Sequence, residues 1–568
     1  MKILGVRFGH DSAAALIIDG KIVADVAEER FSRIKNDASF PIRAIEYCLK
    51  AGRISSEELD VLAIPTKTFQ REFAVFFDIP EENFSPYKEN IKSKLKKIIG
   101  KIERLPILPL YLKPFKLSKH CKVELVEHHL AHVASAAYTS GIDIKEKVLG
   151  VTMDGRGDDT SVALWRIQNN TIENIIRFDG SGSMGWFYAN STEAMGWRHG
   201  SEEWKVMGLA PYGTLQPRLL KGFYPEYKDG KLVKPHEFGE YGRWHDHGSN
   251  HYHGKDSEAM SKIFASVKPE DFAAEVQRVS EEQAFEIILP WLKKENTRHL
   301  VCAGGFFMNV KFNQNLWYKG LLDTQWIYPN PGDAGLAVGA SLYVYYQNYP
   351  TKQHKQLDNL YFGPEYSNDE IKKILDDRAI EYKYIEEIEK ETAKYLSKNF
   401  VVGWFQGRME AGPRALGNRS ILMSPLDSCN KDRINAKVKY REKFRPFCPS
   451  IADESYEEYL VSPRDELFMV SSFEAKEGMR ERIPAVIHED NTARPQRVKS
   501  DINPRYYNLI TEFGKITGES ILLNTSFNIK GEPIVCNPRE AIKCFYDTGL
   551  DILVLGNYLI RKSNIEKI

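Results

Sequence analysis

One plan occurs twice in this 568-residue chain, and it restricts the fold more than any single motif. Residues 2–8 read as a strand, a polar turn follows, residues 12–18 read as a second strand, and Asp19-Gly20 turns into a third strand at 21–28. Asp-Gly between apolar runs favours a tight hairpin because both central residues tolerate positive φ. From Lys147 the plan returns: a strand at 150–153, a turn at 154–158, a strand at 160–166, the turn Asn169-Asn170 and a strand at 171–177. Gly5-Val6 matches Gly150-Val151, and Asp11-Ser12 matches Asp159-Thr160.

Such a duplication is the layout of an actin-like ATPase core, in which two similar halves clamp a nucleotide between their turns. The chain is too long for a single core. The pattern shifts near Asp358, after the polar stretch 347–355 and before Gly363-Pro364, so the expected domains are 1–357 and 358–568. A helix at 369–377 and a strand at 401–406 open the second. Residues 88–104 carry lysines at helical spacing with Ile91, Leu95, Ile98 and Ile102 on one side. They predict a solvated amphipathic helix, with a lid over a pocket or membrane contact as the other readings. The longest apolar runs fall far short of the roughly 20 residues that span a bilayer, and no secretory signal is expected. Seven cysteines, odd in number and with no CxxC pair, point to a reducing cytoplasm rather than a disulfide framework or thiolate zinc site.

Residues 410–420, Glu-Ala-Gly-Pro-Arg-Ala-Leu-Gly-Asn-Arg-Ser, set Arg414 and Arg419 around a Gly-Pro turn. A second basic cluster follows with Lys437, Lys439, Arg441, Lys443 and Arg445, closed by Pro446-Phe447-Cys448-Pro449-Ser450. Guanidinium forks on turns suit oxyanions. Duplex binders usually carry a basic excess, whereas 78 basic residues here balance 78 acidic ones. The reading is a pocket for a small anion, without nucleic acid as partner.

Glu127-His128-His129-Leu130-Ala131-His132 precedes an alanine-rich helical run. On a helix His128 and His132 share a face while His129 turns away. Asp154 and Asp333, both beside glycines, are candidates to complete a metal sphere that suits iron(II), manganese or zinc; histidines that merely cap a helix are the plain alternative. Ala303-Gly304-Gly305 after a strand, with Asn309 opening a helix, resembles a nucleotide-contact turn. Lys205 and Gly208 lie in a similar glycine-containing stretch. His245, Asp246, His247, His251 and His253 lie in a Gly/Ser/Asn-rich segment that reads as a solvent loop. Residues 524–528, Asn-Thr-Ser-Phe-Asn, bring Ser526 and Asn528 to the end of a strand expected at 520–523, with Arg494 in a separate loop.

Taken jointly, residues 9–14, 28–35, the His-His-Leu-Ala-His run, 205–213, 412–420, 439–450 and 524–528 resemble the nodulation-type carbamoyltransferase family, which includes the O-carbamoyltransferases of antibiotic biosynthesis. The resemblance spans nearly the whole chain. It implies a duplicated actin-like (ASKHA) α/β domain, similar to the tRNA threonylcarbamoyl-transfer enzyme, followed by a YrdC-like α/β domain. It implies an enzyme that uses ATP and carbamoyl phosphate to form a carbamoyl-adenylate. Arg414, Lys439, Arg494 and Ser526 match the contacts of that half-reaction. His128, His132, Asp154 and Asp333 match the ligands of a divalent metal, iron(II) by resemblance. His10 and Lys35 match residues on the side of a small-molecule hydroxyl acceptor, a sugar or natural product. His10, with an unperturbed pKa near 6.5, is placed to accept the hydroxyl proton or to orient phosphate as a donor. Phe306-Phe307 stand where the family commonly has small aliphatic residues. The competing readings are a sugar-kinase-like phosphotransferase, a tRNA-modifying carbamoyl-type enzyme and a non-catalytic nucleotide sensor. The choice between monomer and homodimer stays open.

Overall fold

A computed structural model describes residues 1–79, 114–238, 255–442, 444–445 and 447–562. The helix expected at 88–104, the histidine-bearing loop at 245–253, Lys443 and Pro446 lie outside them. The repeated plan becomes two five-stranded sheets. The first contains β1 (Lys2–Arg7), β2 (Ala13–Ile18), β3 (Lys21–Ala27), β4 (Val61–Ile64) and β5 (Lys122–Leu125) in the order β3-β2-β1-β4-β5. The second contains β6 (Val148–Gly157), β7 (Thr160–Gln168), β8 (Thr171–Phe178), β9 (His299–Ala303) and β10 (Thr324–Ile327) in the order β8-β7-β6-β9-β10. In each sheet the first three strands pair antiparallel and the last two join in parallel. This shared topology makes the duplication explicit: the N-terminal half is an actin-like α/β fold.

The turns form where asparagine, aspartate and glycine permit positive φ: Asp19 and Gly20 at 52° and 82°, Asn169 and Asn170 at 52° and 57°. The turn expected at 154–158 is shorter. Strand β6 runs on through Asp154, a bulge between Met153 and Gly157 absorbs the extra length, and the chain reverses at Asp158 and Asp159, with φ of 48° and 73°. Asp154 therefore projects from a strand rather than from a loop.

Four helices position the site: α1 (His128–Ala137), α2 (Glu203–Leu209), α3 (Val310–Trp317) and α4 (Leu336–Asn348). The matched glycines have matched uses. A side chain on Gly150 would meet Val133 of α1 at 2.6 Å, and one on Gly5 would meet the Ala337 carbonyl of α4 at 2.0 Å. Each lets a helix lie directly on its central strand.

The C-terminal half is a separate α/β unit. Strands β11 (Lys383–Tyr384), β12 (Val402–Phe405), β13 (Arg419–Met423), β14 (Cys448–Ala452), β15 (Gln496–Val498), β16 (Ile521–Ser526), β17 (Ile552–Leu555) and β18 (Tyr558–Arg561) form one sheet in the order β11-β18-β17-β12-β13-β16-β14-β15. Alternate faces of its strands feed two apolar cores. One holds Trp404, Leu522 and Val554, and the other holds Phe405, Leu523 and Leu553. Strand β16 runs to Ser526, three residues beyond the expected end, so Asn524 is a buried strand residue bonded to the Ala415 carbonyl and Ser450 Oγ. Among the described residues no helix is long and apolar enough to cross a membrane. All seven cysteines are free thiols.

Candidate active site

The first site grows from the start of α1. Glu127 caps the helix by accepting from Leu130 N at 2.8 Å. Asp158 accepts from His128 N at 3.0 Å, Lys67 N at 2.8 Å and Thr66 Oγ1 at 2.9 Å, which ties the helix start to both half-domains. Helical spacing then turns His128 and His132 onto one face. Their Nε2 atoms lie 3.4 and 3.1 Å from Asp154 Oδ2, and each lies 3.6 Å from Asp333 Oδ1. Two ligands about 2.1 Å from a tetrahedral ion lie roughly 3.4 Å apart. The four donor atoms, all within 4.8 Å of one another, thus match the edges of a coordination sphere.

Each carboxylate offers one oxygen because its other is engaged. Asp154 Oδ1 accepts from Gly155 N at 2.8 Å, and Asp333 Oδ2 accepts from Arg7 at 2.6 Å. Burial opposes charge on Asp154, but hydrogen bonds from His128 and His132 hold it well below the usual carboxylate range. Burial likewise opposes charge on His132, and the two carboxylates overcome it, raising the imidazole to about 9. His129 is spent elsewhere, on Thr152 Oγ1 and the Thr160 carbonyl, both at 2.9 Å. Gly157 is demanded by packing: a side chain there would come within 2.2 Å of the His128 ring.

Gly304, at a φ of 105°, donates to the Pro331 carbonyl at 2.7 Å, so the glycine turn after β9 and the loop carrying Asp333 form one wall. Gly305 faces Asp154, where an added side chain would come within 3.0 Å of its Oδ1. Asn309 has a structural use as the cap of α3, accepting from Phe312 N and exchanging hydrogen bonds with Gln277, all at 3.0 Å. Phe306 and Phe307 are buried in the core. His10 pairs with Asp11 at 3.2 Å on the turn after β1, two-fifths exposed. Burial lowers its basicity, but the Asp11 hydrogen bond and the nearby Asp333 charge raise it to about 9. The Asp11 partner thus makes the imidazole more basic than an unperturbed histidine, the direction that favours a donor.

The second site is a group of cations. Glu410 Oε1 accepts from the N–H groups of Leu416, Asn418 and Arg419 and folds the Gly-Pro loop. Arg419, fully buried, donates to the carbonyls of Gln406, Gly407 and Pro364, so it builds the loop rather than binding an anion. Arg414, on the same loop, has no hydrogen bond or ion pair among the described residues. Arg494 donates to Cys448 Sγ at 3.0 and 2.7 Å. Arg441 donates to Asn435 at 2.7 Å, lies 4.3 Å over the Phe447 ring and keeps a buried nitrogen without partner among the described residues. Lys439, buried, donates to Ser526 O, Asn528 O and Asn528 Oδ1 at 2.5, 2.9 and 2.8 Å.

Burial first, and then neighbouring cations, depress Arg414, Arg441 and Lys439. Arg414 falls to about 9 beside Arg494; Arg441 falls to about 9 beside Arg445 and Arg494; Lys439 falls well below its ordinary value beside Arg441 and Arg445. The guanidinium groups stay charged at neutral pH, so the downward push records burial first and crowded positive charge second. Glu442 is a nearby acid, 3.6 Å from Arg445 and 3.4 Å from Lys205.

The halves meet between these sites. Arg30 donates to the Gly412 carbonyl at 2.7 Å, and Arg33 donates to the carbonyls of Pro533 and Ile534, both at 2.7 Å. Lys35 lies among Glu29, Glu202 and Arg445, and its charge also acts on Lys439, so it belongs to the junction and not to the metal-binding group. Lys205 is ion-paired to Glu202 at 2.5 Å within α2 and its cap. Gly208, Val310, Phe444, His488 and Arg494 line a cleft of about 480 Å³, mouth included, that opens between the halves. Sequence reasoning missed Arg7 and Asp158, and held Arg30 only as a member of the matched stretch 28–35 with no role of its own. Each acts through a partner far away in the chain, so local pattern carries no signal for them.

A duplicated actin-like domain with a buried His/Asp group is thus joined to an α/β unit lined with arginine. The domain description "Carbamoyltransferase N-terminus" matches residues 2–342 and "Carbamoyltransferase C-terminus" matches residues 393–562, and the chain belongs to the carbamoyltransferase family. It is 34% identical to the nodulation protein NolNO of Sinorhizobium fredii over 98% of this chain and 79% of that protein. It is 33% identical to the uncharacterized protein sll1178 of Synechocystis, covering 99% of this chain and 97% of that one. It is 32% identical to the uncharacterized protein MJ1051 of Methanocaldococcus jannaschii, covering 99% of each. The protein is a carbamoyltransferase.

Proposed function

We propose that the two sites perform consecutive steps of O-carbamoyl transfer. In the C-terminal site carbamoyl phosphate, ATP and water yield carbamoyl-adenylate, phosphate and pyrophosphate. In the N-terminal site the oxygen of an acceptor hydroxyl bonds to the carbamoyl carbon as the carbon's bond to the phosphate oxygen breaks; AMP leaves with the electron pair, and the hydroxyl proton is released to solvent. The activation is chemically needed because the carbamoyl nitrogen donates into its carbonyl and makes a poor electrophile; a mixed anhydride supplies a good leaving group. The observation that carries this reading is Arg414, a desolvated guanidinium without a counter-ion at the head of a cluster with Arg494, Arg441 and Lys439. Such a cluster is offset by a polyanion such as carbamoyl phosphate or a nucleotide triphosphate.

The N-terminal donor set fits a first-row divalent ion, iron(II) by resemblance. His128, His132, Asp154 and Asp333 would hold it, and it would supply positive charge beside the carbamoyl carbonyl or the nucleotide phosphate. Protonated His10 donates a hydrogen bond to an oxygen of the bound group. Gly304 and Gly305 let the nucleotide approach the backbone, and the junction around Lys35 faces the acceptor. The acceptor is a small molecule, a sugar or natural product with a free hydroxyl, rather than a nucleic acid. Seven free thiols suit a reducing cytoplasm. Mass spectrometry of a metabolite extract incubated with enzyme, ATP and carbamoyl phosphate should reveal a product heavier by one carbamoyl group, together with AMP. Product bearing phosphate instead, with ADP, would overturn the reading in favour of a kinase.

A further inference from the structure

Arg7 stands at the end of β1, where the turn Gly9-His10-Asp11 begins, and no motif draws attention to it. Its NH2 group contacts Asp333 Oδ2 at 2.6 Å, on the oxygen turned away from the two histidines, and its side chain is 14% exposed. That single ion pair uses little of the guanidinium, which has five N–H donors. Nε is buried and has no partner among the described residues. The neighbouring turn leaves the group uncovered: Gly9, with a φ of 121°, places the position of a missing side chain 3.5–3.7 Å from NH2, Cζ and NH1. Any other residue there would sit over the guanidinium.

Charge gives this arrangement a use. Asp154 and Asp333 together balance a divalent ion, so Arg7 is a cation in excess once the site is filled. A structural bridge to Asp333 would need neither the unpartnered Nε nor the bare face. We infer that Arg7 is an anion-binding residue of the N-terminal site, holding Asp333 with one nitrogen and presenting its other N–H groups to the phosphate of the nucleotide leaving group. The inference rests on the two-site reading above. In the transfer step the carbamoyl C–O bond to that phosphate breaks and negative charge collects on the departing AMP oxygens, where a fixed guanidinium is most effective.

The test measures AMP binding by calorimetry and metal content by elemental analysis in the full chain loaded with Mn²⁺. The background is Arg414→Ala/Lys439→Ala, which silences the C-terminal anion site. Arg7→Gln keeps a donor for Asp333 but removes the charge; Arg7→Lys keeps the charge but loses the fork. AMP affinity should fall about tenfold to a hundredfold in Arg7→Gln, the scale of one charge-assisted hydrogen bond, and less in Arg7→Lys. Metal content should be retained in both, with affinity equal or tighter in Arg7→Gln because a repelling charge is gone. Unchanged AMP affinity in Arg7→Gln with metal retained overturns the role of Arg7 alone. Loss of metal from both variants also overturns it, since Arg7 would then serve only to hold Asp333. A parent protein that loads Mn²⁺ but binds no AMP overturns the two-site reading, and Arg7 with it.

Discussion

The two charged sites of this molecule are both largely withdrawn from water, yet their charges respond in opposite ways. In the N-terminal group opposite charges alternate: Asp154 faces His128 and His132, and Asp333 faces Arg7. The carboxylates are accordingly held low despite their burial. In the C-terminal group arginine neighbours arginine, and the cations are driven down. Asp25 supplies the reference. It is buried more deeply than Asp154, has an oxygen without partner among the described residues, and burial alone raises it to about 7. Burial disfavours charge at both sites; the neighbours overcome it in the N-terminal group and add to it in the C-terminal one. On the proposed reading, the near-balanced group with open donor atoms takes a metal cation and the surplus of like charge takes an anion.

The strongest way to break this contrast is to discharge the cationic site. Arg414→Ala or Lys439→Ala should each lower carbamoyl-phosphate-dependent pyrophosphate release about tenfold to a hundredfold, from the loss of roughly 1.5–3 kcal/mol. Circular dichroism melts should stay close to wild type for Arg414→Ala, because Arg414 contributes no internal ion pair. Undiminished release in both variants would remove the C-terminal half of the comparison.

A smaller change probes the metal group without touching a ligand. Gly157→Ala places a methyl group 2.2 Å from the His128 ring and should displace it, lowering metal affinity while pyrophosphate release persists. Elemental analysis at limiting metal reads the outcome; full stoichiometry at wild-type affinity would show that His128 is not held by this contact.

Asp25 sharpens the comparison least in activity but most clearly in pH. Its folded pKa, about 7, lies above the unfolded value near 3.9. The folded state thus binds the extra proton between these values, and stability falls as pH rises through that window. Asp25→Asn should therefore gain melting temperature over wild type at pH 8 and lose that advantage at pH 4. An equal difference at both pH values would contradict the assigned ionisation.

Much of the fold was legible in the sequence. Asp19-Gly20 and Asn169-Asn170 mark their turns through their own conformational tolerance, and the alternating apolar runs give the strands. The i,i+4 histidines were legible because helical geometry is local. Asp154 was harder, since the bulge that keeps it on β6 depends on pairing with β7. Arg414 and Arg419 look equivalent in sequence, but their partners separate a guanidinium unpaired among the described residues from a loop brace. Arg7 lies 326 residues from Asp333, and no local pattern announces that pairing. Lys205 has a local partner in Glu202, but its second acid, Glu442, comes from the other half and leaves no mark in the nearby sequence.

The division of labour between the sites is tested most directly by measuring both half-reactions in His128→Ala and Arg414→Ala. Pyrophosphate release dependent on carbamoyl phosphate reports the first step, and carbamoylated product from an identified acceptor reports the second. His128→Ala should retain the first and lose the second, whereas Arg414→Ala should lose both. Equal loss of both steps in His128→Ala, with its fold preserved, would contradict two sites and require a single shared one.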